Sequence, residues 1–127
     1  EINRLLNSGC LLVLYAEGTR SRENKLLKAI PSVARYFENP NIDAIYPVAI
    51  EGSVSLLPVG SMVPRSGRAK VTLGEPLQPK ELFKKAEEGL PAGMEKDVRN
   101  KVNEIVIDTV MKKLAHFLPI EQRGYYS

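Results

Sequence analysis

Five small or polar residues, Glu17-Gly18-Thr19-Arg20-Ser21, stand in a row just after the apolar run Leu11-Leu12-Val13-Leu14. Polar groups placed directly past a hydrophobic strand are costly unless they find partners. In open α/β sheets, the crevice beyond the carboxyl ends of strands is where ligands bind. Gly18 can take a positive φ and turn the chain sharply. Such a turn would direct the Glu17 carboxylate and the amides after it towards that crevice. Thr19 and Ser21 add hydroxyls, and the planar guanidinium of Arg20 suits a phosphate or a carboxylate. The chemistry these types offer together is reception of an anionic, hydroxyl-bearing ligand. The plain alternative is a polar turn, with Arg20 solvated and Glu17 and Thr19 satisfying local amides. Spacing alone weighs the two equally.

The elements that must position this turn read as an α/β domain. Glu1 to Gly9 has the pattern of the last turns of a helix that ends on a glycine. Leu11 to Leu14 is a continuous apolar run, as in a strand covered on both faces of a parallel sheet. Arg20 to Lys28 is a charged loop. Pro31 suits the first turn of a helix reaching about Glu38, with Val33, Ala34 and Phe37 on one face. Asn39-Pro40-Asn41 stops it. Ile42 to Ile50 reads as a second buried strand, with Pro47 at an edge, a bulge or the strand end. Glu51 to Arg68, rich in Gly, Ser and Pro, reads as a long surface loop, and loops of that length are usually functional. Ala69 to Leu73 alternates as a half-buried third strand. Pro79 to Glu88 forms a short helix, Gly89 to Gly93 a linker, and Met94 to about Leu118 the longest helix. Val98, Val102, Ile105, Val106, Val110 and Leu114 recur along it at the helical period. Glu121 to Ser127 reads as a loosely held tail.

With 127 residues and a net charge of +3, the chain is the size of one domain and only mildly basic. That charge is too small to argue for nucleic acid. Five Tyr and three Phe are scattered rather than interleaved with basic residues, so no base-stacking surface is indicated. Cys10 is the single cysteine, so no internal disulfide can form, and its place at the head of an apolar run reads as core. The lone histidine, His116, reads as a helix-end residue favoured by the macrodipole. The longest apolar run, Cys10 to Ala16, is far too short to span a bilayer. No signal peptide is visible. The chain opens on a charged residue with no initiator Met, so it is expected to have been cut from a longer protein.

The segment Tyr15-Ala16-Glu17-Gly18-Thr19-Arg20-Ser21 resembles the Phe-Pro-Glu-Gly-Thr-Arg-Ser signature of the glycerolipid acyltransferase family. Its best-known members are the 1-acylglycerol-3-phosphate acyltransferases. Ile45-Tyr46-Pro47-Val48 looks like that family's later Ile-x-Pro-Val block. Val71 to Leu77 looks like the strand and Gly-x-Pro turn that often follows. Order and spacing agree over Leu5 to Leu77. The resemblance implies that Glu17, Gly18, Thr19, Arg20 and Ser21 bind the acceptor, with Arg20 on its phosphate and Glu17 on its polar head. It places Pro47 in a block that shapes the site near the acyl donor. Ala16 departs from the usual proline. A larger departure is the missing His-x-x-x-x-Asp pair, whose histidine is the family's general base. His116 follows the motif instead of preceding it, so no catalytic residue is expected within this chain.

The resemblance implies the carboxyl-terminal part of one acyltransferase domain, with a strand-rich portion over residues 1–78 and a helical portion over residues 79–127. The fold expected is a partial, mostly parallel sheet flanked by helices. The function implied for the parent protein is transfer of a fatty acyl group from acyl-CoA or acyl-ACP to a lysophosphatidate-type acceptor, at the cytoplasmic face of a membrane. No further cofactor or metal is implied. The fragment itself is expected to be soluble, inactive alone and prone to self-association through uncovered sheet edges. Arg20, Arg22, Lys25, Lys28, Arg65, Arg68 and Lys70 read mostly as solvated loop charge, with an anionic membrane surface or the coenzyme's phosphates as the functional version. Two other classes stay open: a non-catalytic module binding anionic lipid or phosphate, and an interaction domain whose motif turn is purely structural.

Overall fold

The computed structural model describes residues 1–91 and 97–127. Its elements run α1 (Ile2–Asn7), a 3-10 helix (Pro31–Glu38), β1 (Val48–Glu51), α2 (Ser53–Leu56), β2 (Lys70–Leu73), α3 (Pro79–Glu88), α4 (Val98–Ala115), and two short 3-10 turns at Ile120–Gln122 and Gly124–Tyr126. The start of the expected long helix, Met94 to Lys96, and part of the expected Gly89–Gly93 linker lie outside the described residues.

The core is built on α4. Val102, Val106 and Val110 recur four residues apart, as do Ile107, Met111 and Ala115 beside them, so they share one stripe of the helix, and all are buried. Against that stripe lie Ala34 of the 3-10 helix and Leu82 and Ala86 of α3. Ala34 has no exposed surface. Its small side chain lets the 3-10 backbone come close to α4. Pro31 opens that helix and Asn39-Pro40 closes it, and its eight residues are a long run for the tighter form. At the other end, Asn7 ties α1 to the following loop, accepting from Asn39 Nδ2 at 3.3 Å and Asn41 Nδ2 at 2.8 Å.

The sheet differs from the expected one. It has two strands, and they are antiparallel, with Val48 opposite Leu73, Ala49 opposite Thr72, Ile50 opposite Val71 and Glu51 opposite Lys70. An antiparallel bridge between Ile45 and Leu77 continues the ribbon beyond Pro47. The physical reason is the connection. Parallel neighbours need a crossover that packs back across the sheet, usually through a helix. The chain between Glu51 and Lys70 holds only the single turn α2, so it returns beside the strand it left. Pro47, which has no N–H to give to a ladder, sits just before β1, and β1 is correspondingly shorter than the expected Ile42–Ile50 strand.

Leu11 to Leu14 is the second departure. The segment has no strand partner among the described residues. Leu12 and Leu14 are half-buried, whereas Leu11 is 88% and Val13 70% exposed. A run covered on both faces was expected, but no second layer lies over this one. Cys10, expected in the core, is exposed for the same reason. The tail also departs from expectation: Tyr126 is buried and the Gly124–Tyr126 turn is docked. Among the described residues, no helix is long and apolar enough to cross a membrane.

On the outer side of α4, Glu104 sits between two cations, accepting from Lys101 Nζ at 2.8 Å and Lys28 Nζ at 2.7 Å. Lys101, then Lys28, holds its carboxyl down at about 2, against an ordinary 4.5. A depressed acid stabilises the folded state above its unfolded pKa and loses that contribution as pH falls towards its folded value. The pairs are solvent-exposed and screened, so each contributes little. Glu104→Gln should therefore lower stability slightly near neutral pH. In urea titrations the difference from the native chain should shrink to nothing between pH 4.5 and about 2.

Candidate functional site

The motif turn is built as a closed loop base. Gly18 donates its N–H to the Tyr15 carbonyl at 3.0 Å, which reverses the chain. It does so with φ +69, and a Cβ there would strike the Ile30 side chain. The positive φ is what calls for glycine, since the Ile30 contact is with the movable end of its side chain. The Ala16 carbonyl then accepts the Ile30 N–H at 2.8 Å. The charged loop between them is thus closed at its neck.

Within this frame the predicted site residues divide into two sets. The Glu17 carboxylate, half-buried, accepts the Leu27 N–H at 2.6 Å. Burial pushes its pKa above the ordinary value while the Leu27 amide works against that rise. Ser21 Oγ accepts the Lys25 N–H at 3.1 Å and closes a smaller turn inside the loop. Both groups are committed to the chain's own amides. Thr19 and Arg20 are exposed. Among the described residues, the Arg20 guanidinium reaches only the Leu57 carbonyl, through a long 3.4 Å bond from Nη1. That contact ties the turn loosely to the Gly- and Pro-rich loop between β1 and β2.

Arg20 is therefore the motif group left able to receive an anion, with the Thr19 hydroxyl beside it in sequence. Of the basic residues in the flanking loops, three are paired with carboxylates, whereas Arg22, Arg65 and Arg68 join no salt bridge among the described residues. Lys70 pairs with Glu51 at 3.1 Å, Lys25 with Glu23 at 3.8 Å, and Lys28 with Glu104 at 2.7 Å. Pro47 is buried at the head of the ribbon, its carbonyl accepting the Gly74 N–H at 2.8 Å. Among the described residues, no hydrogen bond joins it to the motif turn. Two open grooves lie elsewhere. One runs between Phe37, Ile42, Pro79 and Phe83, and the other is bordered by Asn3, Asn7, Arg35 and Asn41. Neither includes a residue of Glu17–Ser21. His116 Nδ1 lies 2.6 Å from the Lys112 carbonyl at the end of α4, a helix-end contact.

The tail is what the sequence reading missed. Leu26 donates its N–H to the Gln122 carbonyl at 2.9 Å, and Tyr125 donates back to the Leu26 carbonyl at 3.0 Å. Ala29 donates to the Tyr126 hydroxyl at 2.9 Å, and that hydroxyl donates to Asp108 Oδ1 at 3.0 Å. The one available signal was the aromatic pair Tyr125-Tyr126, an unusual ending for a solvated tail. Comparison of the chain with protein-family models, with curated proteins and with solved structures yields no match.

Proposed function

We propose that the Glu17–Ser21 turn is the phosphate-recognition element of an acyltransferase that moves a fatty acyl group from acyl-CoA or acyl-ACP to a 1-acylglycerol-3-phosphate acceptor. The observation that carries this reading is the exposed Arg20, presented by a tight Gly18 turn within the segment Tyr15–Ser21. Its roles differ from those the resemblance implies. Arg20 holds the acceptor phosphate. Glu17 shapes the loop through the Leu27 amide rather than touching the acceptor. On this reading the general base is the histidine of a His-x-x-x-x-Asp pair, a motif that residues 1–127 do not contain. The whole enzyme's acyl transfer then needs that base beside the acceptor hydroxyl.

The test is a titration with glycerol 3-phosphate, followed by amide chemical shifts. Responses at Thr19 and Arg20 support the reading, and silence there sinks it. In the full-length enzyme, Arg20→Ala should cost about 1.5–3 kcal/mol of acceptor binding, the range for a hydrogen bond to a charged group. An unchanged kcat/KM for lysophosphatidate would remove Arg20 from the phosphate site. One observation favours the purely structural turn instead. Glu17 and Ser21 both satisfy local amides, and on that reading Arg20→Ala changes nothing.

A further inference from the structure

Four amides at the end of the charged loop and just past it are held by two other parts of the chain. The Leu26 N–H goes to the Gln122 carbonyl at 2.9 Å and the Leu27 N–H to the Glu17 carboxylate at 2.6 Å. The Ala29 N–H goes to the Tyr126 hydroxyl at 2.9 Å and the Ile30 N–H to the Ala16 carbonyl at 2.8 Å. Two of the four partners belong to the carboxyl-terminal turn region and two to the motif turn itself. The segment Leu26–Ile30 is thus the piece through which one end of the chain can act on the motif.

The terminal contacts are specific. Gly124 lies at φ +52, and a Cβ there would collide with the Leu26 backbone. The Tyr126 ring is 7% exposed and meets Tyr125 edge-on, with centroids 5.0 Å apart. Lys28 Nζ stands 5.5 Å from the centre of the Tyr125 ring. The Tyr126 hydroxyl is saturated in both senses, accepting from Ala29 and donating to Asp108 on α4. Burial pushes its pKa up to about 12, so the donated proton stays in place through the neutral range.

We propose that the Gly124–Tyr126 turn is a latch on the motif loop, with Tyr126 as its pin and Asp108 orienting the pin from α4. Releasing it frees Leu26–Ala29 and, through the Glu17–Leu27 bond, the turn that presents Thr19 and Arg20. Only the further consequence, that the latch tunes anion binding, rests on the function proposed above. Buried hydrogen bonds of this kind set local opening rates.

The experiment is native-state amide exchange with limited trypsin digestion of the full chain, carried out without any ligand. Tyr126→Phe removes both hydroxyl bonds and keeps the ring. Exchange at Ala29 should rise about tenfold, with faster cleavage after Arg22 and Lys25, while Val106 and Val110 in α4 keep their protection. Unchanged exchange at Ala29 and unchanged cleavage in a folded Tyr126→Phe chain overturn the latch. If that variant does not fold, Asp108→Ala decides the matter. It keeps the phenol but not its orientation, and an unmoved loop there is equally fatal. The glycerol 3-phosphate titration is independent. A silent titration with an intact latch sinks the functional reading alone, and a responding titration with an unlatched loop in the native chain sinks the latch alone.

Discussion

Ile107→Ala is expected to destabilise the chain by about 2–5 kcal/mol, the usual cost of truncating a large aliphatic side chain in a closed core. Ile107 is 1% exposed, beside Val106 at 0%, on the helix that supplies six of the eleven buried residues of the core cluster. Proteins of this size hold only about 5–15 kcal/mol of net stability, so the loss is a large share. Urea unfolding monitored by circular dichroism measures it. Ile120→Ala is the matched control. Its side chain is 72% exposed, and the expected change is within about 0.5 kcal/mol. Equal effects at the two positions would show that α4 is not the centre of the core.

Gly124→Val is expected to be nearly as costly, by a different mechanism. Gly124 holds φ +52, a conformation a β-branched residue adopts only as an outlier. That strain is worth about 1–3 kcal/mol. The new side chain would also meet backbone atoms of Leu26 rather than the far end of a flexible side chain. Relief requires the tail to undock, which gives up the Tyr125–Leu26 and Tyr126–Ala29 hydrogen bonds together. The variant should therefore show a loss beyond the strain alone and amide exchange at Ala29 as fast as in Tyr126→Phe. A melting temperature matching that of the native chain would mean that the tail contributes nothing to stability.

Much of the local structure was legible before any coordinates. Pro79 at the first turn and Gly89 after the last bounded α3 as read, because start and stop signals act within a few residues. The α4 stripe was legible in part: Val102, Val106 and Val110 are buried as read, whereas Val98 is exposed and Asn103, Ile107 and Met111 are buried beside them. The reversal at Gly18 was legible because only glycine takes that φ without strain. The candidate site was half legible: its residue types are those of an anion receptor. Which of them stay available depended on Leu27 and Lys25, whose amides take Glu17 and Ser21.

What remained hidden has a common cause. The apolar run Leu11–Leu14 says that its side chains favour burial, not which segment will cover them. The same alternation in Lys70–Leu73 is compatible with a parallel or an antiparallel neighbour. Sequence by itself determined where α3 begins and ends, that the chain reverses at Gly18, and the Val102–Val106–Val110 part of the α4 stripe. The tertiary structure alone decided that the strands pair antiparallel, that the last residues return to hold Leu26 and Ala29, and that Glu17 serves the loop. Those outcomes depend on groups far apart in the chain, and local propensity carries no information about a distant partner.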